Sequence, residues 1–128
     1  MPRIGQICIR CTNMEKSVNF YRDILGLEEF TQGRPGDPTI LKGGPVDLEL
    51  VQARPEDKPP EVEGHAGLNH FAFFVRNMDE MVSDLKKKGV KILSEPRESF
   101  EGIRAAFFED PDGVRVELLQ FTGERVGR

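Results

Sequence analysis

Val114-Arg115-Val116-Glu117-Leu118-Leu119-Gln120 is a stretch that the chain holds twice, since Val46-Asp47-Leu48-Glu49-Leu50-Val51-Gln52 has Val, Glu, Leu and Gln in the same order. In both copies apolar and polar residues alternate over a short run that follows turn residues, the pattern of a half-buried strand. Alternation sends Val46, Leu48 and Leu50 to one face and Asp47, Glu49 and Val51 to the other. In the second copy Val114, Val116 and Leu118 share a face, opposite Arg115, Glu117 and Leu119. Each strand therefore carries a glutamate at its centre, Glu49 or Glu117, on the side away from Leu48 and Leu50 or Val116 and Leu118.

Outward from these strands the repetition continues. Ile7, Ile9 and Cys11 alternate with Gln6, Cys8 and Arg10, which predicts a strand with one apolar face. Asn13 is a natural N-cap, and Thr12 with Glu15 has capping-box spacing. A helix is predicted from Met14 to about Leu25, with Val18, Tyr21, Ile24 and Leu25 as its apolar stripe and Gly26 as its stop. Phe30 to Pro45, rich in Gly and Pro, is expected to hold one or two short strands and a loop. After Arg54–Gly67, broken by Pro55, Pro59, Pro60 and Gly64, the pattern starts again. Asn69 to Val75 reads as a strand, Asn77 caps a helix from Met78 to about Lys88, and Gly89 closes it. Asp110-Pro111-Asp112-Gly113 is a tight turn feeding the last strand.

Asn13-Met14 and Asn77-Met78 are the same dipeptide, 64 residues apart (77 − 13). The same offset carries Gln6 onto His70. The expected architecture is α+β: two tandem βαβββ modules, residues 1–53 and 68–128, joined by the linker 54–67. Each module is too small to bury a core alone. Packing about a pseudo-two-fold axis would join them into one domain, with a curved mixed sheet around a cleft.

Composition excludes several functions. The 128 residues are 38% hydrophobic and 31% charged with net charge −4, and no basic stripe is present to meet a nucleic acid. No apolar stretch approaches the roughly 20 residues that span a bilayer. Met1 to Gly5 lacks the apolar core of a secretory signal, so a cytoplasmic location is expected. Cys8 and Cys11 have C-x2-C spacing without a second pair, and positions three apart on a strand face opposite ways, so neither zinc nor redox chemistry is read there. His65 reads as a solvent-exposed linker residue, and Lys86-Lys87-Lys88 as the solvated C-terminus of a helix.

Gln6, Cys8 and Arg10, like His70, Ala72 and Phe74, lie on the face away from the helices, together with Glu49 and Glu117. If each sheet curls, Gln6, Glu49, His70 and Glu117 converge in the cleft. Two carboxylates so placed repel unless a cation neutralises them. One imidazole nitrogen, two carboxylates and one amide oxygen suit Zn, Ni, Co, Mn or Fe(II), with positions left for water or substrate. Ala72, Phe74 and Leu119 would give the pocket an apolar wall.

Met14 to Leu27 (MEKSVNFYRDILGL), Gly67-Leu68-Asn69-His70, and Asp110-Pro111-Asp112-Gly113 running on to Glu117 resemble the vicinal oxygen chelate superfamily, which includes glyoxalase I, methylmalonyl-CoA epimerase, extradiol dioxygenases, and fosfomycin and bleomycin resistance proteins. The resemblance spans essentially the whole chain. Gln6, Glu49, His70 and Glu117 look like the ligand set of zinc-type glyoxalase I, and Arg10 matches an arginine that contacts glutathione there. Ala53, Ala66 and Arg115 stand where that group has Asn, Arg and a bulky aromatic. The resemblance implies one divalent metal, with Zn, Ni or Co favoured, a possible thiol cosubstrate, a small-molecule substrate, and a homodimer. It also implies turnover of a 2-oxoaldehyde–thiol hemithioacetal through a metal-bound enediolate, with Glu117 and Glu49 catalytic and Glu117 the first choice of base. Arg10, Phe74 and Leu119 would contact substrate. An epimerase, an Fe(II) dioxygenase and a binding or resistance protein without chemistry are the alternatives.

Overall fold

The computed structural model describes residues 1–30, 34–60, 66–100 and 102–123. The chain divides into two compact units, Met1–Pro59 and Pro60–Arg128. That boundary falls inside the segment 54–67. His65 lies outside the described residues.

Unit 1 holds β1 (Gln6–Cys11), α1 (Met14–Val18), a π-helical segment (Asn19–Ile24), β2 (Glu28–Glu29), β3 (Thr39–Lys42) and β4 (Asp47–Gln52). Its sheet has the order β1-β4-β3-β2. β1 runs parallel to β4, so the helical stretch is a crossover connection, while β3 pairs antiparallel with β4 and with β2. Asn13 caps α1 by accepting a hydrogen bond from Lys16 N at 3.1 Å. The predicted single helix Met14–Leu25 is therefore α-helical only in its first part. Leu25 N–H bonds to Phe20 O at 2.9 Å, five residues back, and this wider ring changes which residues face the sheet. Ser17, Phe20 and Tyr21 are buried, whereas Val18, Ile24 and Leu25 from the expected stripe are half-buried. Phe20 and Tyr21 meet edge to face at 4.9 Å above Ile9, Cys11, Leu41, Leu48 and Leu50, the core of this unit. Cys8 is exposed and Cys11 buried, as opposite faces of β1 require.

Unit 2 repeats the plan with β5 (Phe71–Phe74), α2 (Met78–Lys87), β6 (Ile92–Phe100), β7 (Ile103–Glu109) and β8 (Arg115–Phe121). Its sheet order is β5-β8-β7-β6, with β5 parallel to β8 and the hairpins β6–β7 and β7–β8 antiparallel. The two units are thus tandem βαβββ modules of one topology. Met78, Val82 and Leu85 of α2 are buried, as are Ala106, Phe108, Val116 and Leu118, the sheet residues of matching parity. Asp110 Oδ1 accepts from the backbone N–H of Asp112 and of Val114, each at 2.9 Å, and Gly113 takes φ +83°. That side-chain-closed turn aims Arg115 into β8.

The recurring Gln at the end of each repeated strand has one job in both units. Gln52 Nε2 donates to Thr12 O at 3.1 Å, and Gln120 Oε1 accepts from Met78 N–H at 3.1 Å. Each side chain pins the last strand to the start of the crossover helix. Among the described residues no helix is long and apolar enough to cross a membrane.

Candidate functional site

In unit 1 the parallel pairing sets Cys8 opposite Glu49, and in unit 2 it sets Ala72 opposite Glu117. The residue two positions earlier on the neighbouring strand, Gln6 or His70, then reaches the same carboxylate across the sheet. Gln6 Nε2 donates to Glu49 Oε1 at 3.0 Å. His70 Nε2 lies 3.1 Å from Glu117 Oε1, and a carboxylate oxygen can only accept. The same strand register thus produces the same nitrogen–carboxylate pair twice, although Gln6 and His70 are 64 residues apart and the two glutamates 68 (117 − 49).

The expected set of four stands as two pairs, one in each unit. Among the described residues no three His, Cys, Asp or Glu side chains form a group that could hold an ion by themselves. Within each unit the pair has further neighbours. Ile40 is the other register partner of Glu49, and Phe107 that of Glu117. The Phe107 ring meets the His70 ring edge-on at 5.0 Å, and His70 Nδ1 is 2.7 Å from Asn69 Oδ1. The Glu117 side chain is 14% exposed against 32% for His70, so the carboxylate is the more enclosed member of its pair.

Arg10 lies on the Gln6 face, but its Nη1 contacts both carboxylate oxygens of Asp57, at 3.1 and 3.0 Å. Asp57 also accepts from Arg54 N–H at 2.9 Å. That backbone hydrogen bond first, and the Arg10 guanidinium second, hold the Asp57 carboxyl below its ordinary range. Although Cys8 as a residue is exposed, its thiol is pushed up, chiefly by partial desolvation against the sheet and next by its hydrogen bond to Glu49, with Arg10 opposing. Phe74 is 69% exposed and stacks on Phe121 at 5.1 Å, next to Leu119, its register partner.

Asn69, Phe107, Phe121 and Asp57 were not among the residues predicted for the site. Asn69 adjoins His70, so strand alternation assigns it to the opposite face, yet its position just before β5 lets the side chain bend back to the ring. Phe107 and Phe121 become visible only once β7 and β8 are in register. Asp57 sits in the stretch read as a linker, where its contact with Arg10, 47 residues away, leaves no local pattern.

The Glyoxalase/Bleomycin resistance protein/Dioxygenase superfamily model matches residues 3–118. The uncharacterized protein YwkD of Bacillus subtilis is 31% identical over 94% of this chain and 98% of its own length. A probable lactoylglutathione lyase of Synechocystis is 26% identical over 91% and 94%. Among solved structures, a glyoxalase family protein from Enterococcus faecalis superposes with TM-score 0.76 at 30% identity, covering 91% of this chain and 96% of that one.

Proposed function

The chain belongs to the Glyoxalase/Bleomycin resistance protein/Dioxygenase superfamily, and we propose that it is a metal-dependent isomerase or lyase of glyoxalase I type, acting on the hemithioacetal of a 2-oxoaldehyde and a thiol. The observation that carries this reading is the twofold pairing of a glutamate with a nitrogen-bearing side chain, 3.0 Å in one module and 3.1 Å in the other. An amide oxygen, an imidazole and two carboxylates match the donor preferences of Zn, Ni or Co, and Gln6, its amide turned to offer Oε1 instead of Nε2, would hold one such ion with Glu49, His70 and Glu117. A bound ion of this kind supplies Lewis acidity that acidifies the C–H next to a coordinated carbonyl or hydroxyl oxygen.

Glu117 is the base. It takes the proton from the carbon bearing sulfur and returns it to the neighbouring carbon, so hydrogen moves along the substrate and no oxidant or reductant is consumed. Its low exposure, with Phe107 as its register partner, shields that proton from water. Glu49 shares in holding the ion or serves the opposite face of the substrate. Arg10, steadied by Asp57, offers a guanidinium to an anionic group of the thiol portion. Phe74 and Leu119 form the apolar wall.

Elemental analysis of the purified protein, followed by assay of methylglyoxal adducts with glutathione and with other thiols, tests the reading. The expected result is a bound divalent ion and turnover with at least one thiol. Glu117→Gln should lower turnover by about 10²–10⁴-fold, the usual worth of a positioned general base. Protein that neither retains nor binds a divalent ion would overturn the proposal in favour of a binding protein, and an Fe(II) and oxygen requirement would do so in favour of a dioxygenase.

A further inference from the structure

We propose that Asn69 is a positioning residue, which fixes a proton on Nδ1 of the His70 ring and thereby leaves Nε2, beside Glu117, as the nitrogen that gives up its proton to a cation. This inference rests on the metal reading of the site above. An imidazole binds a cation through one nitrogen, and a hydrogen bond at the other decides which one is available. Asn69 Oδ1 is an acceptor only, and at 2.7 Å from His70 Nδ1 it requires the proton there. On the far side Nε2 is 3.1 Å from Glu117 Oε1, so a cation held by His70 and Glu117 would take the place of the Nε2 proton. Phe107, edge-on to the ring at 80°, blocks its rotation away from that line. The ring is thus held on three sides.

Unit 1 supplies an internal comparison. The 64-residue offset that carries Gln6 onto His70 carries Gly5 onto Asn69, so no side chain occupies the matching place. Packing does not demand that glycine, because a Cβ built on Gly5 would meet nothing within 4 Å. The difference follows the chemistry of the partner: an amide has no tautomer to fix, and an imidazole has two. Likewise Ile40, which can pack but offers no ring edge, stands in unit 1 at the register position of Phe107.

The test uses the full chain with Zn(II) as probe, titrated into wild type and into the Asn69→Leu, Asn69→Ser and His70→Gln variants. The chain has two histidines, so ¹⁵N-histidine spectra assigned with a His65→Gln variant report the His70 tautomer directly. Wild type should carry a proton on Nδ1, and Zn(II) should displace only the one on Nε2. Asn69→Leu should shift the ring toward the Nε2-protonated form and weaken Zn(II) binding by about 10- to 100-fold, as loss of such a partner does elsewhere. Asn69→Ser, polar but too short to reach the ring, should follow Asn69→Leu, and Asn69→Asp should restore the wild-type tautomer. Unchanged tautomer and affinity in Asn69→Leu, while His70→Gln loses affinity, would overturn the role of Asn69 and leave the metal reading standing. Equal Zn(II) binding by wild type and His70→Gln would instead overturn the metal reading itself, with the spectra still deciding what Asn69 does to the ring. Unfolding by urea shows whether any variant has lost the fold, and the serine and aspartate variants keep the test decisive if leucine has.

Discussion

Cys8 lies directly across from Glu49, and the two report on each other. Its thiol is held up first by burial, then by donating to the Glu49 carboxylate and by that carboxylate's charge. A raised thiol pKa means less thiolate, the reactive form, at any given pH. Glu49→Gln removes the carboxylate charge, leaves only a weaker neutral acceptor for the thiol, and keeps Arg10, which lowers the pKa. Alkylation of Cys8 by iodoacetamide at pH 8, followed by mass spectrometry, should therefore run faster in Glu49→Gln than in wild type; Cys11, fully buried, provides a slow internal reference. Asp57 gives the opposite sign. Its pKa is lowered in the folded chain by Arg54 N–H and then by Arg10, so its contribution to stability is present above the unfolded value of about 3.9 and lost as pH falls through the folded value. The gap in urea midpoint between wild type and Asp57→Asn should accordingly be full at neutral pH and close as the solution is acidified below about pH 4. A gap that stays constant down to pH 2 would show that the ion pair with Arg10 contributes nothing through charge.

At the scale of elements, α2 is held at both ends by single residues. Asn77 accepts from Glu80 N–H at 3.1 Å, and Gly89 ends the helix at φ +79°. Asn77→Ala should cost about 1 kcal/mol and Gly89→Ala about the same or somewhat more, because a Cβ is disfavoured in the left-handed region. The two sites are separated by a helix of 10 residues, about 15 Å long, so the double variant should lose close to the sum of the two. Urea unfolding measures all three. Caps and turns of this kind were legible because they act within four residues of themselves: Asn13, Asn77, Gly26, Gly89 and the Asp110–Gly113 turn all stand where their chemistry predicts. The π-helical stretch was not. An α-helix and a π-helix differ in whether an N–H bonds four or five residues back, which apolar spacing alone does not distinguish, and the π-helical stretch is the one that buries Phe20 and Tyr21. The short β2 at Glu28–Glu29, ahead of the Phe30–Pro45 region where strands were expected, is also a matter of pairing, because it is defined by its antiparallel register with β3.

For the whole molecule, the duplication is what made both fold and candidate site readable. One offset links Asn13 to Asn77 and Gln6 to His70, and the matching strand registers let Gln6 and His70 each reach a glutamate. Side chains that serve a pair from outside the repeat, such as Asn69 and Asp57, broke the pattern and so escaped it. The repeat also makes a quantitative demand on the proposed function. If Gln6 with Glu49 and His70 with Glu117 are halves of one site, each half alone is a two-donor site, short of the usual four ligands. Wild type should then bind one divalent ion per chain, and Glu49→Gln and Glu117→Gln should each weaken that same ion, with the double variant little worse than the more damaged single one, since the donors act as a unit. If the pairs are independent, each single variant keeps the ion of the untouched pair and only the double variant loses both. Stability separates the cases a second way. A ligand at 100 times its Kd adds about 2.7 kcal/mol to whatever must unfold for it to leave. A shared ion therefore raises the unfolding of both units in wild type, and Glu49→Gln, a change confined to unit 1, should remove the metal-dependent gain from unit 2 as well; independent ions would leave that gain in place.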